Sequence, residues 1–423
     1  MSDPQRVAIV GTGARAQMYT RALAERDHTR VVALSDVNPT RARLHNRILT
    51  DEHGRAPATF WHPDDVARML DAERVDTLVV CTVDAQHARH ILTGLEAGRR
   101  VVTEKPMVTT AGQARRVLDA ADRTGGDLAV AFNYRFNPLH RAVRDLLAAG
   151  AIGRVLSVHF EWLLDVRHGA DYFRRWHRDR ASSGGLAVHK SGHHFDLVNW
   201  WLDAAPVTVY GAGRLAFYGE RNGVRHGLRR DYARAHGSPE AAGDPFALHL
   251  DADPELRALY LDAEPDDGYV RDRNVFAGGI SIEDDMALVV TYDTGATMTY
   301  HLTAYAPWEG YRVAFNGTGG RLELDVTESG WAEPGGAHAH LDAASHRLRV
   351  RPLWEPPRDV EVAVESGGHG GGDRRLLAAL FDPDAPGRET LATPRDGVNA
   401  LLTGLAANRS FTTGMPVPVA DLL

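Results

Sequence analysis

Arg6-Val7-Ala8-Ile9-Val10-Gly11-Thr12-Gly13-Ala14-Arg15-Ala16 runs from four apolar residues, Val7–Val10, through a glycine turn into a helix-length polar stretch. Gly11, Gly13 and Ala16 match the spacing of a dinucleotide-binding turn between a strand and a helix. Gly11 permits the tight turn around Thr12, and Gly13 removes a side chain where a pyrophosphate approaches the backbone. N–H groups near Ala14 and Arg15, at the start of the helix, then receive that anion. Asp36 follows at the end of the next apolar run, roughly 20 residues on, where a carboxylate accepts hydrogen bonds from the adenosine ribose. A carboxylate there repels a 2′-phosphate, so NAD is expected. NADP is less favoured, although Arg41 and Arg43 lie nearby.

Working outward, apolar runs at Val31–Ser35, Thr77–Thr82, Arg100–Thr103 and Leu128–Phe132 alternate with helix-length amphipathic stretches. Strands this apolar imply a parallel sheet covered on both faces, which is a doubly wound α/β domain. After Phe132 the runs alternate apolar with polar residues and are separated by Gly- and Asp-containing turns. They extend from Arg154–Trp162 through Thr297–Ala304 to Arg347–Leu353 and Val360–Val364, and they predict a large, mostly antiparallel sheet. The chain therefore divides into a Rossmann domain, 1–131, and an α+β substrate domain, 132–423. A polar stretch near 215–283 reads as an insertion.

The runs Thr77–Thr82 and Arg100–Thr103 lead into loops that carry Thr82 and His87, and then Glu104 and Lys105. The carboxyl ends of strands in a doubly wound sheet face the cofactor, so these four join the coenzyme-binding set. An ammonium at Lys105 can hydrogen-bond a reacting hydroxyl and stabilise the alkoxide that develops as hydride leaves.

Val102-Thr103-Glu104-Lys105-Pro106, the glycine turn, and Asn133-Tyr134-Arg135-Phe136-Asn137-Pro138 resemble the Gfo/Idh/MocA oxidoreductases. That family includes glucose–fructose oxidoreductase and inositol dehydrogenases. The resemblance implies that Lys105 is catalytic and that Arg135 belongs to the substrate-binding set. Gly184-Gly185-Leu186-Ala187-Val188-His189-Lys190-Ser191-Gly192-His193-His194-Phe195-Asp196 resembles the family stretch that supplies the general base. His193 falls on the family histidine and Asp196 on its final aspartate, a substrate-site position. An imidazole titrating near neutrality suits the acceptance of a hydroxyl proton.

His189 stands where most sugar dehydrogenases of the family have aspartate, and it is a candidate second acid/base. On one helix His189 and His193 would share a face. Their spacing also suits zinc, but Lys190 follows the first histidine where the protease pattern needs glutamate, and no metal is expected. Tyr172, Trp176, His177 and Arg178 precede the glycine pair and are candidates to line a sugar pocket. His369, in a glycine-rich run, is a weaker candidate.

Three functions compete. The first is NAD-dependent oxidation of a hydroxyl on a sugar, cyclitol or sugar derivative. The second is NAD-dependent glycoside cleavage through transient oxidation, elimination, hydration and re-reduction. The third is a non-catalytic sensor, disfavoured because both Lys105 and His193 are retained. In all three the partner is a sugar-like small molecule.

The 423 residues carry a formal net charge of −8, with 43% hydrophobic and 25% charged residues. No basic stripe points to nucleic acid, and no apolar stretch approaches the roughly 20 residues that span a bilayer. The single cysteine, Cys81, cannot form an internal disulfide. A cytoplasmic protein is expected, and the family resemblance implies a homo-oligomer.

Overall fold

A computed structural model describes residues 3–332, 339–340, 345–363 and 368–423. The chain forms two compact units, one of Met1–Asn133, His249–Val270 and Asp373–Val398, the other of Tyr134–Leu248, Arg271–Gly372 and Asn399–Leu423.

The first unit is built on β1 (Gln5–Val10), α1 (Ala14–Ala24), β2 (Thr29–Ser35), α2 (Pro39–Arg47), β3 (Thr59–Trp61) and α3 (Val66–Ala72). It continues through β4 (Thr77–Val80), α4 (His87–Glu96), β5 (Arg100–Thr103), α5 (Ala111–Thr124) and β6 (Leu128–Val130). The strand order is β3-β2-β1-β4-β5-β6, and every pairing is parallel. Val7–Val10 and Leu78–Val80 are fully buried, as central strands covered on both faces require. The order reverses between β1 and β4, and ligands of such sheets bind beyond the carboxyl ends of strands at that point. Gly11 and Cys81 follow those two strands. Local signals set the helix ends: Thr110 and Gln113 form a capping box on α5, and Gly125 closes it in a left-handed conformation.

Two segments that a division at 131/132 assigns to the second domain pack instead with the first unit. Arg26 clasps Asp382 through two bonds of 2.6 and 3.0 Å, and Asn38 reaches the carbonyl of Ala263 at 2.8 Å. The predicted insertion is thus itself divided. Its middle, 249–270, belongs to the first unit, while Phe217, Tyr218, Phe246 and Phe276 form an aromatic cluster in the second.

The second unit begins with α6 (Pro138–Ala148), β7 (Val155–Asp165), α7 (Val166–Arg174), α8 (Arg180–Ser183), α9 (Leu186–His189), α10 (Ser191–Leu202) and β8 (Pro206–Arg214). The later strands are β9 (Asp285–Tyr292), β10 (Thr297–Ala306), β11 (Glu309–Gly317), β12 (Gly320–Ser329), the short pair β13 (Trp331–Ala332) and β14 (Ala339–His340), β15 (Ser345–Pro352), β16 (Arg358–Asp359) and β17 (Val417–Pro418). Nine strands join in the order β16-β15-β12-β11-β7-β10-β9-β8-β17, antiparallel except for β10 against β7. Burial alternates residue by residue along β10, the signature of a sheet with one covered face.

Of the run predicted at Val360–Val364, the described part is not a strand. Pairing with β15 ends at Asp359, Val360–Ala363 are irregular, and Val364 lies outside the described residues. A second expectation also fails, because His189 and His193 do not lie on one continuous helix: α9 ends at His189, Lys190 forms a break, and α10 starts at Ser191.

Candidate active site

In the first unit the glycine turn has the form a dinucleotide needs. Gly11 sits at φ +87°, and a Cβ there would meet the backbone of Cys81 and Thr82 at 2.6 Å. A Cβ on Gly13 would meet nothing within 4 Å, so that position faces open space where an anion can approach. The side chain of Asp36 accepts from the N–H and hydroxyl of Thr12, at 2.6 and 2.9 Å, and from the N–H of Asn38 at 2.9 Å. These bonds fix the carboxylate at the end of β2 against the turn. His45 backs the same turn from α2, bonded to Thr20 and to the carbonyl of Thr12. Burial lowers its imidazole to about 4, so it is neutral there.

Arg15 turns away from an anion role. Its guanidinium pairs with Glu104 at 2.7 Å and with Asp373 at 3.1 Å, which leaves the backbone N–H groups of the helix start as its contribution to binding. Glu104 is likewise held within the protein, accepting from Tyr19 at 2.9 Å. Burial alone would raise its carboxyl, but Arg15, Lys105 and Tyr19 hold it below the ordinary range. Its role is to anchor the loop that presents half-buried Lys105, whose own N–H lies 3.3 Å from the Glu104 carboxylate.

His87 is a loop clamp. One ring nitrogen lies 2.8 Å from the carbonyl of Pro106 and the other 3.0 Å from that of Thr82, so the ring ties the loop after β4 to the loop after β5. Burial lowers its pKa against those two bonds, and a neutral ring donates to only one carbonyl at a time.

In the second unit the glycine-pair motif gathers imidazoles and aromatic rings. His193, on the first turn of α10, stacks on Tyr134 with centroids 4.4 Å apart. The ammonium of Lys190 donates to the hydroxyl of Tyr134 at 3.1 Å and lies 4.8 Å from the centroid of Trp162. Burial lowers the pKa of this lysine, while Glu309 and Glu328 oppose the shift. His369, with its backbone at φ +54°, packs its ring 5.4 Å from Tyr134.

His189 sits in a nest of rings, with centroids 4.1 Å from His177, 5.8 Å from Tyr172 and 5.9 Å from Trp176. Behind the nest runs a polar chain. The Tyr172 hydroxyl is 3.3 Å from Nε2 of His168, whose Nδ1 is 2.7 Å from Glu309. Burial alone would raise Glu309, but His168 and Lys190 hold it below the ordinary carboxyl range. Neighbouring Glu328 is pushed up to about 7 by burial and by Glu309.

Three substrate candidates are used inside the protein. Arg135 and Asp196 form a buried two-bond ion pair, at 2.8 and 2.6 Å. Arg178 donates to the carbonyl of Gly278 at 2.6 Å, and its pKa is lowered by burial to about 10. Tyr172 and Trp176 do line the His189 nest. Sequence reading overlooked Tyr134 as the platform for His193, and also the His168–Glu309 pair. A signal existed, because Glu309 shares its strand parity with the buried residues Tyr311, Val313 and Phe315. Among the described residues, no group of three or more His, Cys, Asp or Glu side chains is placed to hold a metal.

The family model described as an oxidoreductase family, NAD-binding Rossmann fold, matches residues 5–132, and its C-terminal alpha/beta domain matches residues 144–419. The chain is 35% identical over 436 residues to YteT of Bacillus subtilis (strain 168), described as an oxidoreductase, covering 98% of each protein. It is 34% identical over 155 residues to D-glucoside 3-dehydrogenase of Escherichia coli (strain K12), covering 36% of this chain and 42% of that one. The solved structure of aldose-aldose oxidoreductase from Caulobacter crescentus, complexed with glycerol, superposes with a TM-score of 0.63 at 19% identity, covering 98% and 99% of the two chains. That structural likeness bears on fold alone.

Proposed function

Because the chain belongs to the Gfo/Idh/MocA family of oxidoreductases, with its NAD-binding Rossmann fold, we propose that it oxidises a hydroxyl of a sugar, cyclitol or sugar derivative with NAD. The observation that carries this reading is the glycine turn: open at Gly13, closed at Gly11, and bonded to a fixed Asp36. Gly11, Thr12, Gly13, Asp36 and the N–H groups of Ala14 and Arg15 would hold the coenzyme, with Thr82 and Lys105 on the neighbouring loops. When bound, the nicotinamide ring accepts a hydride.

The chain's own residues supply the acid–base chemistry. Lys105 donates a hydrogen bond to the reacting hydroxyl and stabilises the developing alkoxide. His193 takes the hydroxyl proton, its ring orientation fixed by the stack on Tyr134. His189 is the second acid/base. The negative charge that an aspartate at 189 would provide is displaced to Glu309, which His168 and Tyr172 connect to the nest. Tyr172 and Trp176 offer aromatic faces to a sugar ring.

The same reading makes the chain a cytoplasmic homo-oligomer acting on a small molecule, with neither nucleic acid nor membrane as partner. No helix among the described residues is long and apolar enough to cross a membrane. The test is incubation with NAD and a panel of sugars, cyclitols and aryl glycosides, following NADH absorbance and released aglycone together. NADH formation that disappears on Lys105→Met or His193→Ala supports oxidation. Aglycone release without net NADH overturns it in favour of redox-neutral cleavage.

A further inference from the structure

The residues just beyond Asp36 decide which coenzyme a Rossmann sheet accepts, because an arginine there can receive the 2′-phosphate of NADP. This chain has Arg41 and Arg43 in that place; Arg43 donates to the hydroxyl of Thr40 at 2.6 Å, while Arg41 is met by a segment more than two hundred residues further along. The backbone N–H of Thr40 donates to Asp266 at 3.0 Å. Arg41 donates from Nε to the carbonyl of Leu259 at 3.2 Å and from Nη1 to Asp267 at 2.7 Å, and its guanidinium lies 5.6 Å from the centroid of Tyr269. Asn38 reaches the carbonyl of Ala263 at 2.8 Å. Arg41 is only 9% exposed, and its remaining Nη2 is buried without a hydrogen-bond partner. One buried Nη2 group beside a carboxylate is a poor seat for a phosphate carrying nearly two charges. Asp266 is exposed, and its bonding to Thr40, helped by Arg43 and Arg41, holds its carboxyl below the usual range.

We infer that residues 259–267 are a coenzyme-specificity element. By holding Arg41 on Asp267 and facing the first turn of α2 with Asp266, the segment turns a potential phosphate site into one that accepts only a free 2′-hydroxyl. Asp36 then opposes a 2′-phosphate from one side and Asp266 from the other. The inference deepens the dinucleotide reading and rests on it.

Titration of the full chain with NADH and with NADPH, followed by nicotinamide fluorescence, tests it on wild type, Asp267→Asn and Asp266→Arg. The wild type should bind NADH at least about 50-fold more tightly. Each variant should gain about tenfold or more in NADPH affinity, with NADH affinity within about threefold. Asp267→Asn leaves a buried arginine uncompensated, so thermal melts establish that it is folded. Asp266→Arg lies at an exposed position and carries the test if the first variant does not fold. A wild type that prefers NADPH, or folded variants whose NADPH-to-NADH ratio stays within about twofold, overturns the inference while leaving the dinucleotide reading intact. Failure of both coenzymes to bind the wild type removes that reading and the inference together.

Discussion

Arg135 closes two hydrogen bonds on Asp196, sixty-one residues away, from side chains only 5% and 1% exposed. Removing one member strands a buried charge, which costs about 3–5 kcal/mol. Asp196→Asn and Arg135→Ala should therefore lower the urea midpoint markedly, whereas the double variant Arg135→Met/Asp196→Leu should recover most of the loss. If Asp196→Asn leaves the midpoint unchanged and raises only the substrate KM, the pair is not structural.

The two glycines of the turn should separate folding from binding. Gly11→Ala forces a Cβ into backbone at 2.6 Å from a left-handed residue, so it should destabilise the fold. Gly13 has an extended backbone at φ −77° and open space beyond it. Gly13→Val should melt within a few degrees of wild type yet bind NADH at least about tenfold more weakly. Undiminished NADH binding by Gly13→Val would argue against the turn as the pyrophosphate site.

Lys105 and His193 should fail differently. Lys105→Met should cut kcat by about 10²–10³ at every pH, because it removes stabilisation of developing charge. His193→Ala should cut kcat by about 10²–10⁴ and abolish the acidic limb of the pH–rate profile, since a protonated imidazole cannot act as a base. An unchanged acidic limb would move the general base elsewhere, with His189 next in line.

Stability should fall on mild acidification. Burial lowers His45 and His140 to about 4, so the folded protein keeps both neutral while the unfolded chain protonates near 6.5. The unfolded state then binds more protons throughout that window, and stability is lost as pH falls from about 6.5 towards 4. Each group should cost about 2 kcal/mol between pH 7 and pH 5, as an upper figure. Urea melts across that range should show the decline, and His45→Gln should flatten it; an equal slope in the variant would rule His45 out.

The Rossmann half was legible because strands buried on both faces are continuous apolar runs, and β1, β2, β4, β5 and β6 fall within a few residues of expectation. Helices α7 to α10 were not. α8 and α9 are single turns set off by Gly184, Gly185 and Lys190, and α10 is buried nearly all round, so it carries no polar stripe for a periodicity argument. Single-residue roles were legible where a motif placed them, as at Gly11, Asp36 and Lys105. Pairings were not, because nothing near Arg135 or Arg15 in sequence announces Asp196 or Asp373. The long polar stretch also misled, since Asp266 and Asp267 find their partners on α2, more than two hundred residues earlier.

Arg15 with Asp373 and Arg26 with Asp382 join residues more than 350 positions apart, so the first unit is completed only late in synthesis. When the sixth parallel strand leaves the ribosome, the coenzyme-binding unit still lacks both the covering from 249–270 and the carboxylates after 372. That unit must wait, as a partly uncovered sheet, through the synthesis of more than two hundred further residues. A gene fragment ending at Asn133 would reproduce that unfinished state permanently.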